Sequence, residues 1–285
     1  MAIKFRELTT AGSGESTLKK LLDYTQSTIR MFGSTAGVTL NYTDLTGYFD
    51  YNETENVKYA NYMFNDNKNI QVVPSLNLSN LTDATGMFSG ANALISVGTF
   101  NTNKCTTMAY MFKNCQNFES IPSLDVSYST SFYDMFTNCY KLKTLPRLNL
   151  RKYNNINFAL MFSNCRLLEY VDLSYFQSSD STKTEGMFNC CYSLKAIVIR
   201  ELGTSYTLNN YALYDNYHFK GTVNSTYNPN GDKDGYIYVP RDKVDTIKSA
   251  TNWSVYADQI RALEDYTLDG TTTGELNLTA MGLGG

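Results

Sequence analysis

Met111-Phe-Lys-Asn-Cys-Gln-Asn-Phe118 is followed 24 residues later by Met135-Phe-Thr-Asn-Cys-Tyr-Lys-Leu142, and then by Met161-Phe-Ser-Asn-Cys-Arg-Leu-Leu168. The same Met-Phe pair stands at Met63, Met87 and Met187, giving six copies at steps of 24, 24, 24, 26 and 26 residues. The chain holds ten methionines, and six of them on so even a step mark an internal repeat. A unit of 24–26 residues is too short to bury an apolar face alone, so it must stack on its neighbours.

Aligning the units on Met shows which other columns are held. Four residues on stand Asn67, Ala91, Cys115, Cys139, Cys165 and Cys191. Seven on stand Ile70, Leu94, Phe118, Leu142, Leu168 and Leu194, and ten on stand Val73, Val97, Ile121, Leu145, Val171 and Ile197. A later apolar column reads Leu76, Phe100, Leu124 and Leu148, then comes one residue early as Leu173 and Ile199. The two extra residues of the longer units therefore belong downstream, on the way to the next Met. The stretch after the seventh position is rich in β-formers and predicts a short strand, interrupted where Pro74, Pro122 and Pro146 remove a ladder donor. The approach to each Met, as in Tyr59-Ala-Asn-Tyr-Met-Phe64, predicts a helical turn with Met and Phe directed inward.

The Met-Phe-x-Asn-Cys-x-x-Leu pattern resembles the BspA-type leucine-rich repeat proteins, over roughly residues 45–263. The resemblance implies an α/β repeat solenoid with short parallel strands on one face and turns or short helices on the other. It also implies display at a surface to bind partners, and the segment from Tyr236 to Leu263 resembles the closing segment of such arrays.

Composition narrows the function classes. Net charge is −3 with no long basic run, which argues against a nucleic-acid backbone as partner. No run of about eighteen apolar residues occurs, so no membrane-spanning helix is expected, and Met1-Ala-Ile-Lys-Phe-Arg-Glu-Leu8 lacks the apolar core of a signal peptide. The expectation is a soluble chain made in a cytoplasm. Four of the six cysteines share one repeat column, where Asn67 and Ala91 also fit; the column selects small residues, and buried free thiols are expected. No metal site is expected: there is no Cys-x-x-Cys, and thiolates one repeat apart form a line rather than a tetrahedron.

In chain order, residues 1–15 read as an extended arm and 16–45 as an N-terminal capping helix with its connector. Leu18, Leu21, Leu22 and Ile29 recur there at helical spacing. The repeats fill 46–202. Residues 203–263 read as a C-terminal cap: a hairpin of Gly221–Tyr227 with Gly235–Pro240, then one or two helices with Trp253, Tyr256, Ile260 and Leu263 on one face. The hairpin loop spells Asn230-x-Asp232-x-Asp234, half of a calcium loop. Its twelfth position is Arg241 instead of a bidentate acid, so a solvated turn is the reading. Residues 264–285 form a Gly- and Thr-rich tail.

No catalytic constellation survives scrutiny. His218 is the single histidine, and the carboxylates Asp125 and Asp172, which could flank a glycosidic bond, do not recur as a pair in other units. No cofactor is implied. Tyrosine stands out instead, with 23 residues against one Trp, and tyrosine suits binding surfaces. The expectation is a non-enzymatic structural or binding solenoid, part of a bacteriophage virion assembled in the host cytoplasm, where it decorates the particle or attaches it to a host. A bacterial surface adhesin is the alternative, and a carbohydrate-active solenoid enzyme stands behind both. Ile3 and Phe5 of the arm and Leu276, Leu278, Met281 and Leu283 of the tail are expected to dock on other protein chains, with a host-surface protein or glycan as a further partner.

Overall fold

A computed structural model describes residues 54–283, apart from 122, 179, 210 and 220–232. The N-terminal arm with Ile3 and Phe5, and the capping helix expected over 16–45, lie outside the described residues.

The chain winds into a parallel-strand solenoid of about seven turns. On one side β1 (Val72–Val73) pairs with β2 (Ser96–Val97), and single bridges continue the ladder through Ser96–Ser120 and Leu76–Phe100–Leu124. Later turns carry β3 (Tyr170–Leu173), β5 (Ala196–Ile199), β7 (Tyr236–Val239) and β8 (Ile260–Ala262), hydrogen-bonded in that order. A separate parallel pair joins β4 (Phe176–Ser178) to β6 (Leu202–Tyr206). Strand-breaking residues explain why early strands are short. The position after the tenth-column residue is Pro74, Gly98 or Pro146 in early units but Asp172 and Val198 in late ones, and the strands lengthen from two residues to four. The Leu148–Leu173 and Ser131–Asn157 bridges put the extra residues downstream of the strand, as the alignment requires.

The opposite side corrects the expected helical turn. The residue before Met and the third after it are left-handed: Tyr62 at φ 56°, Asp66 at 54°, Tyr110 at 59°, Asn114 at 62°, Leu160 at 57° and Asn164 at 63°. A helix cannot pass through such residues. Alternate N–H groups divide their partners instead. Met63 and Asn65 donate to their own turn at Ala60 and Tyr62, while Phe64 and Asp66 donate to Met87 and Ser89 of the next turn, both at 2.7 Å. Each turn is thereby stitched to the next without a helix. The recurring Asn of the motif fills the left-handed position it tolerates best among non-glycine residues.

Inside the turns the Met and Phe columns are fully buried or nearly so. Phe64, Phe88, Phe112, Phe136, Phe162 and Phe188 form one continuous stack, with neighbouring ring centroids 5.2–5.6 Å apart and near-parallel planes. The cysteine column is more than small. The thiols of Cys115, Cys139, Cys165 and Cys191 donate to the carbonyls of Phe88, Phe112, Phe136 and Phe162 at 3.0–3.1 Å, one turn back. All six cysteines are free.

The repeats also run beyond residue 202. Phe188 N–H donates to Ala212 and Cys190 N–H to Tyr214, so Ala212-Leu213 takes the Met-Phe place, with Asn216 and Phe219 in the fourth and seventh columns. The first strand of the expected hairpin, 221–227, lies outside the described residues; β7 itself has parallel neighbours, β5 and β8, on both edges instead of an antiparallel one. The helices expected after it reduce to one α-helix, α1 (Val244–Ser249), between 3-10 turns at Arg241–Lys243 and Ser254–Gln259. Trp253, Tyr256, Ile260 and Leu263 are buried as expected, but from a mixture of turn and strand. Trp253 Nε1 donates to Tyr206 O at 2.6 Å and its ring meets Phe176 edge-on, closing that end of the core.

Candidate interaction surfaces

Two surfaces carry chemistry that the core does not need. The first lies along the edge after each Met-Phe turn. Asn138 Nδ2 donates to Asn114 Oδ1 at 2.7 Å and Asn164 Nδ2 to Asn138 Oδ1 at 2.8 Å, an amide ladder across three turns. Two residues beyond this column stand Gln116, Tyr140 and Arg166, and in the next two turns, beyond Cys190 and Asp215, Tyr192 and Tyr217. The Arg166 guanidinium sits over Tyr140 at 4.5 Å and Tyr192 at 6.0 Å, and Tyr192 stacks on Tyr217 at 4.6 Å with planes 11° apart. Arg166 Nε donates to Asn164 Oδ1, and among the described residues no carboxylate pairs with this exposed cation. A hydrogen bond with the half-buried Cys190 thiol, then burial, pushes the Tyr192 hydroxyl up to about 12, so it stays a donor. Because Tyr192 and Tyr217 cover each other's faces, this edge offers hydroxyls and a guanidinium rather than open ring faces for a sugar.

The second surface is the outer face of the late strands. The tail crosses it as a strap: Thr267 bridges Leu276 antiparallel, and residues 272–283 lie over the sheet. Leu276, Leu278, Met281 and Leu283 pack against Ala196, Val198, Tyr170, Tyr236 and Tyr238 of the same chain. The four tail residues expected to dock on other protein chains thus lie on their own chain's sheet in the single chain: the late units present an apolar sheet face, and the nearest apolar segment covers it. Asp172 binds Arg200 in a buried fork, and Arg200 Nη1 reaches the carbonyls of Thr272 and Gly274 at 2.8 and 2.7 Å. Arg147 adds a 3.3 Å contact to Asp172.

Other sequence candidates fall into structural roles. Met63, Met87, Met111, Met135, Met161 and Met187 are core. Asp125 Oδ1 accepts from Ser127 N at 2.9 Å within its own turn, and Asp172 is locked by arginine, so neither is poised as a catalytic acid of a pair. Of the half calcium loop only Asp234 is described; it accepts from His218 Nδ1 at 2.5 Å and lies 3.5 Å from Lys195 Nζ. Burial raises its carboxyl, but the His218 hydrogen bond and the His218 and Lys195 charges outweigh this and leave it below the usual range. Among the described residues no His, Cys, Asp and Glu cluster could hold a metal, and no helix is long and apolar enough to cross a membrane. Arg166 and Arg200 escaped the sequence reading, although Tyr140, Arg166 and Tyr192 stand at steps of 26 residues and the column was legible.

A search of curated proteins finds no match. The family model described as "Mycoplasma protein of unknown function, DUF285" matches residues 27–149 and 94–200, overlapping stretches that take in the repeats from Met63 to Met187. That match is compatible with the BspA-like character of the repeats. The repeat register, the free thiol column and the matched span agree, and the chain belongs to the DUF285 family.

Proposed function

We propose that the protein is a non-catalytic interaction module, a rigid solenoid whose recognition surface is the edge bearing Tyr140, Arg166, Tyr192 and Tyr217. The observation that carries this reading is Arg166: an exposed guanidinium, oriented by two tyrosine rings and Asn164, with no carboxylate partner among the described residues. Arg147, Arg200 and Arg241 spend their charge on Asp172 and Asp265, whereas Arg151 over Tyr128 and Arg261 over Tyr236 lie on tyrosine rings as Arg166 does, but without its amide ladder and second stacked tyrosine pair. An ordered, unspent cation beside tyrosine hydroxyls is the composition that protein interfaces favour.

The setting we propose is a bacteriophage virion, in which the solenoid stands as a decorating or attachment component. The BspA-like repeat supports an interaction role and is silent on the particle. Mass spectrometry of purified particles tests the setting, and the chain should appear at structural abundance. Arg166→Ala and Tyr192→Ala test the surface. Arg166→Ala should leave the melting temperature within about 2 °C of the parent, as exposed substitutions do. Tyr192→Ala should lower it by a few degrees at most, because its half-buried ring stacks on Tyr217. Each should remove the chain from its assembly. Normal incorporation of the double variant would place recognition elsewhere.

A further inference from the structure

On the outer face of β5 and β7, Ala196, Val198 and Tyr238, with Leu263 beside them, form with Met281 of the strap an apolar cluster that shares no member with the core inside the turns. The strap meets this face as a ligand meets a receptor. Part of the recognition is through its main chain: Arg200 Nη1 donates to two strap carbonyls, at Thr272 and Gly274, contacts that any extended peptide can supply, while Arg147 lies 3.6 Å from Glu275 and the apolar side chains meet the sheet. The receptor group is held independently, since Asp172 fixes Nε and Nη2 of Arg200 with no help from the strap. The strap also leaves room beside it. Open grooves of about 470 and 560 Å³ flank it, the first beside Leu145, Pro146 and Tyr170 and the second beside Arg147 and Pro240. Leu276, Leu278 and Leu283 are only partly buried, and only Met281 is seated fully. A segment with its own small cluster can leave without disturbing the phenylalanine stack, as an independently opening unit.

We propose that this sheet face is a binding site for an extended peptide, with a pair of free carbonyls for Arg200 and apolar side chains for Tyr170, Val198 and Tyr238. The chain's own strap is its resident, and the strap of a second copy takes its place when copies assemble. Tethering gives the resident a high effective concentration, which keeps the face closed in an isolated chain. Exchange of an identical element between copies is a low-cost route to association.

The test uses the full chain with Leu278→Asp and Met281→Asp, which loosen the strap and leave the sheet unaltered. The probe is a labelled synthetic peptide of residues 270–285, standing for the second copy's strap, with binding read by fluorescence anisotropy. Thiol protection reports that the solenoid stays folded. The loosened chain should bind the peptide saturably with its thiols protected, the parent chain should bind at least tenfold more weakly, and a peptide carrying both Asp substitutions should not bind. Protected thiols without binding would show that the face is no peptide site. Exposed thiols would show that the strap is part of the solenoid fold rather than a separable ligand. Equal binding by the parent chain would place the peptide elsewhere. Each of these three results overturns the proposal.

Discussion

Asp172 and Arg200 form a fork-to-fork pair across adjacent strands, with Nε and Nη2 of the arginine each 2.7 Å from a different carboxylate oxygen and both side chains 6 % exposed. Such a pair owes its strength to mutual satisfaction, because each charge alone would be buried with only weaker compensation, Asp172 from Arg147 at 3.3 Å and Arg200 from the Thr272 and Gly274 carbonyls. Asp172→Ala should therefore cost about 3–5 kcal/mol in denaturant melts. Combining it with Arg200→Met should recover much of that loss, since the stranded guanidinium is gone. A cost below about 1 kcal/mol, the range of exposed pairs, would mean that water reaches the fork.

Phe136 is clamped between Phe112 at 5.4 Å and Phe162 at 5.6 Å, with planes within 3° of parallel. Phe136→Ala should cost about 3–5 kcal/mol, because neighbouring turns are stitched by backbone hydrogen bonds and have little freedom to collapse on the hole. Leu145 is also core but lines the groove beside the strap, so Leu145→Ala should fall in the lower half of about 2–5 kcal/mol. Urea melts on the two variants check both the size and the order.

The thiol column sets an alkaline limit. Burial pushes Cys115, Cys139, Cys165 and Cys191 well above the ordinary thiol range, and Cys105 up to about 12. In the unfolded chain thiols ionise from about pH 8.5. Above that pH the unfolded state holds fewer protons than the folded one, so stability present below it is lost as pH rises, by about 1.4 kcal/mol per pH unit for each such thiol. Denaturant midpoints at pH 7, 8.5 and 10 should fall across the last interval, and Cys139→Ala with Cys165→Ala should flatten the fall. Thiol titration of the native protein near pH 8 should find Cys190, the half-buried one, reacting before the other five.

Gly86 combines a left-handed backbone, φ +61°, with the Tyr62 ring lying 2.3 Å from where a Cβ would be. Gly270 has a similar φ of +68° with nothing near. Gly86→Ala should cost clearly more than the roughly 1–3 kcal/mol of backbone strain alone, and Gly270→Ala no more than that strain. Thermal melts of the pair separate crowding from backbone preference.

Much of the interior was legible because the Met, Phe, Cys and Leu columns are chosen by burial alone, and burial repeats wherever the turn repeats. The left-handed column before Met was only partly legible: Gly86 and Gly186 fit it, but Tyr62, Tyr110, Asp134 and Leu160 share no side-chain property, and neighbouring turns impose the conformation on them from outside. The seventh turn was hidden because Ala212-Leu213 keeps the apolar requirement while dropping the Met-Phe spelling. The strap was hidden for another reason. Leu276 and Met281 complement a face built from Ala196, Val198 and Tyr238, which comes together only when strands distant in sequence align. Of the candidate surfaces, tyrosine abundance pointed to the edge, but the part of Arg166 required seeing its neighbours.

The change from two-residue to four-residue strands along the solenoid gives the molecule a mechanical polarity. Peeling a turn near Val72 or Ser96 breaks few ladder bonds at a time. Peeling near Ala196 must break a longer row while also stripping the strap from above. A pull along the axis therefore spends itself first in the short-stranded turns, which yield and lengthen, while the long-stranded end keeps its shape.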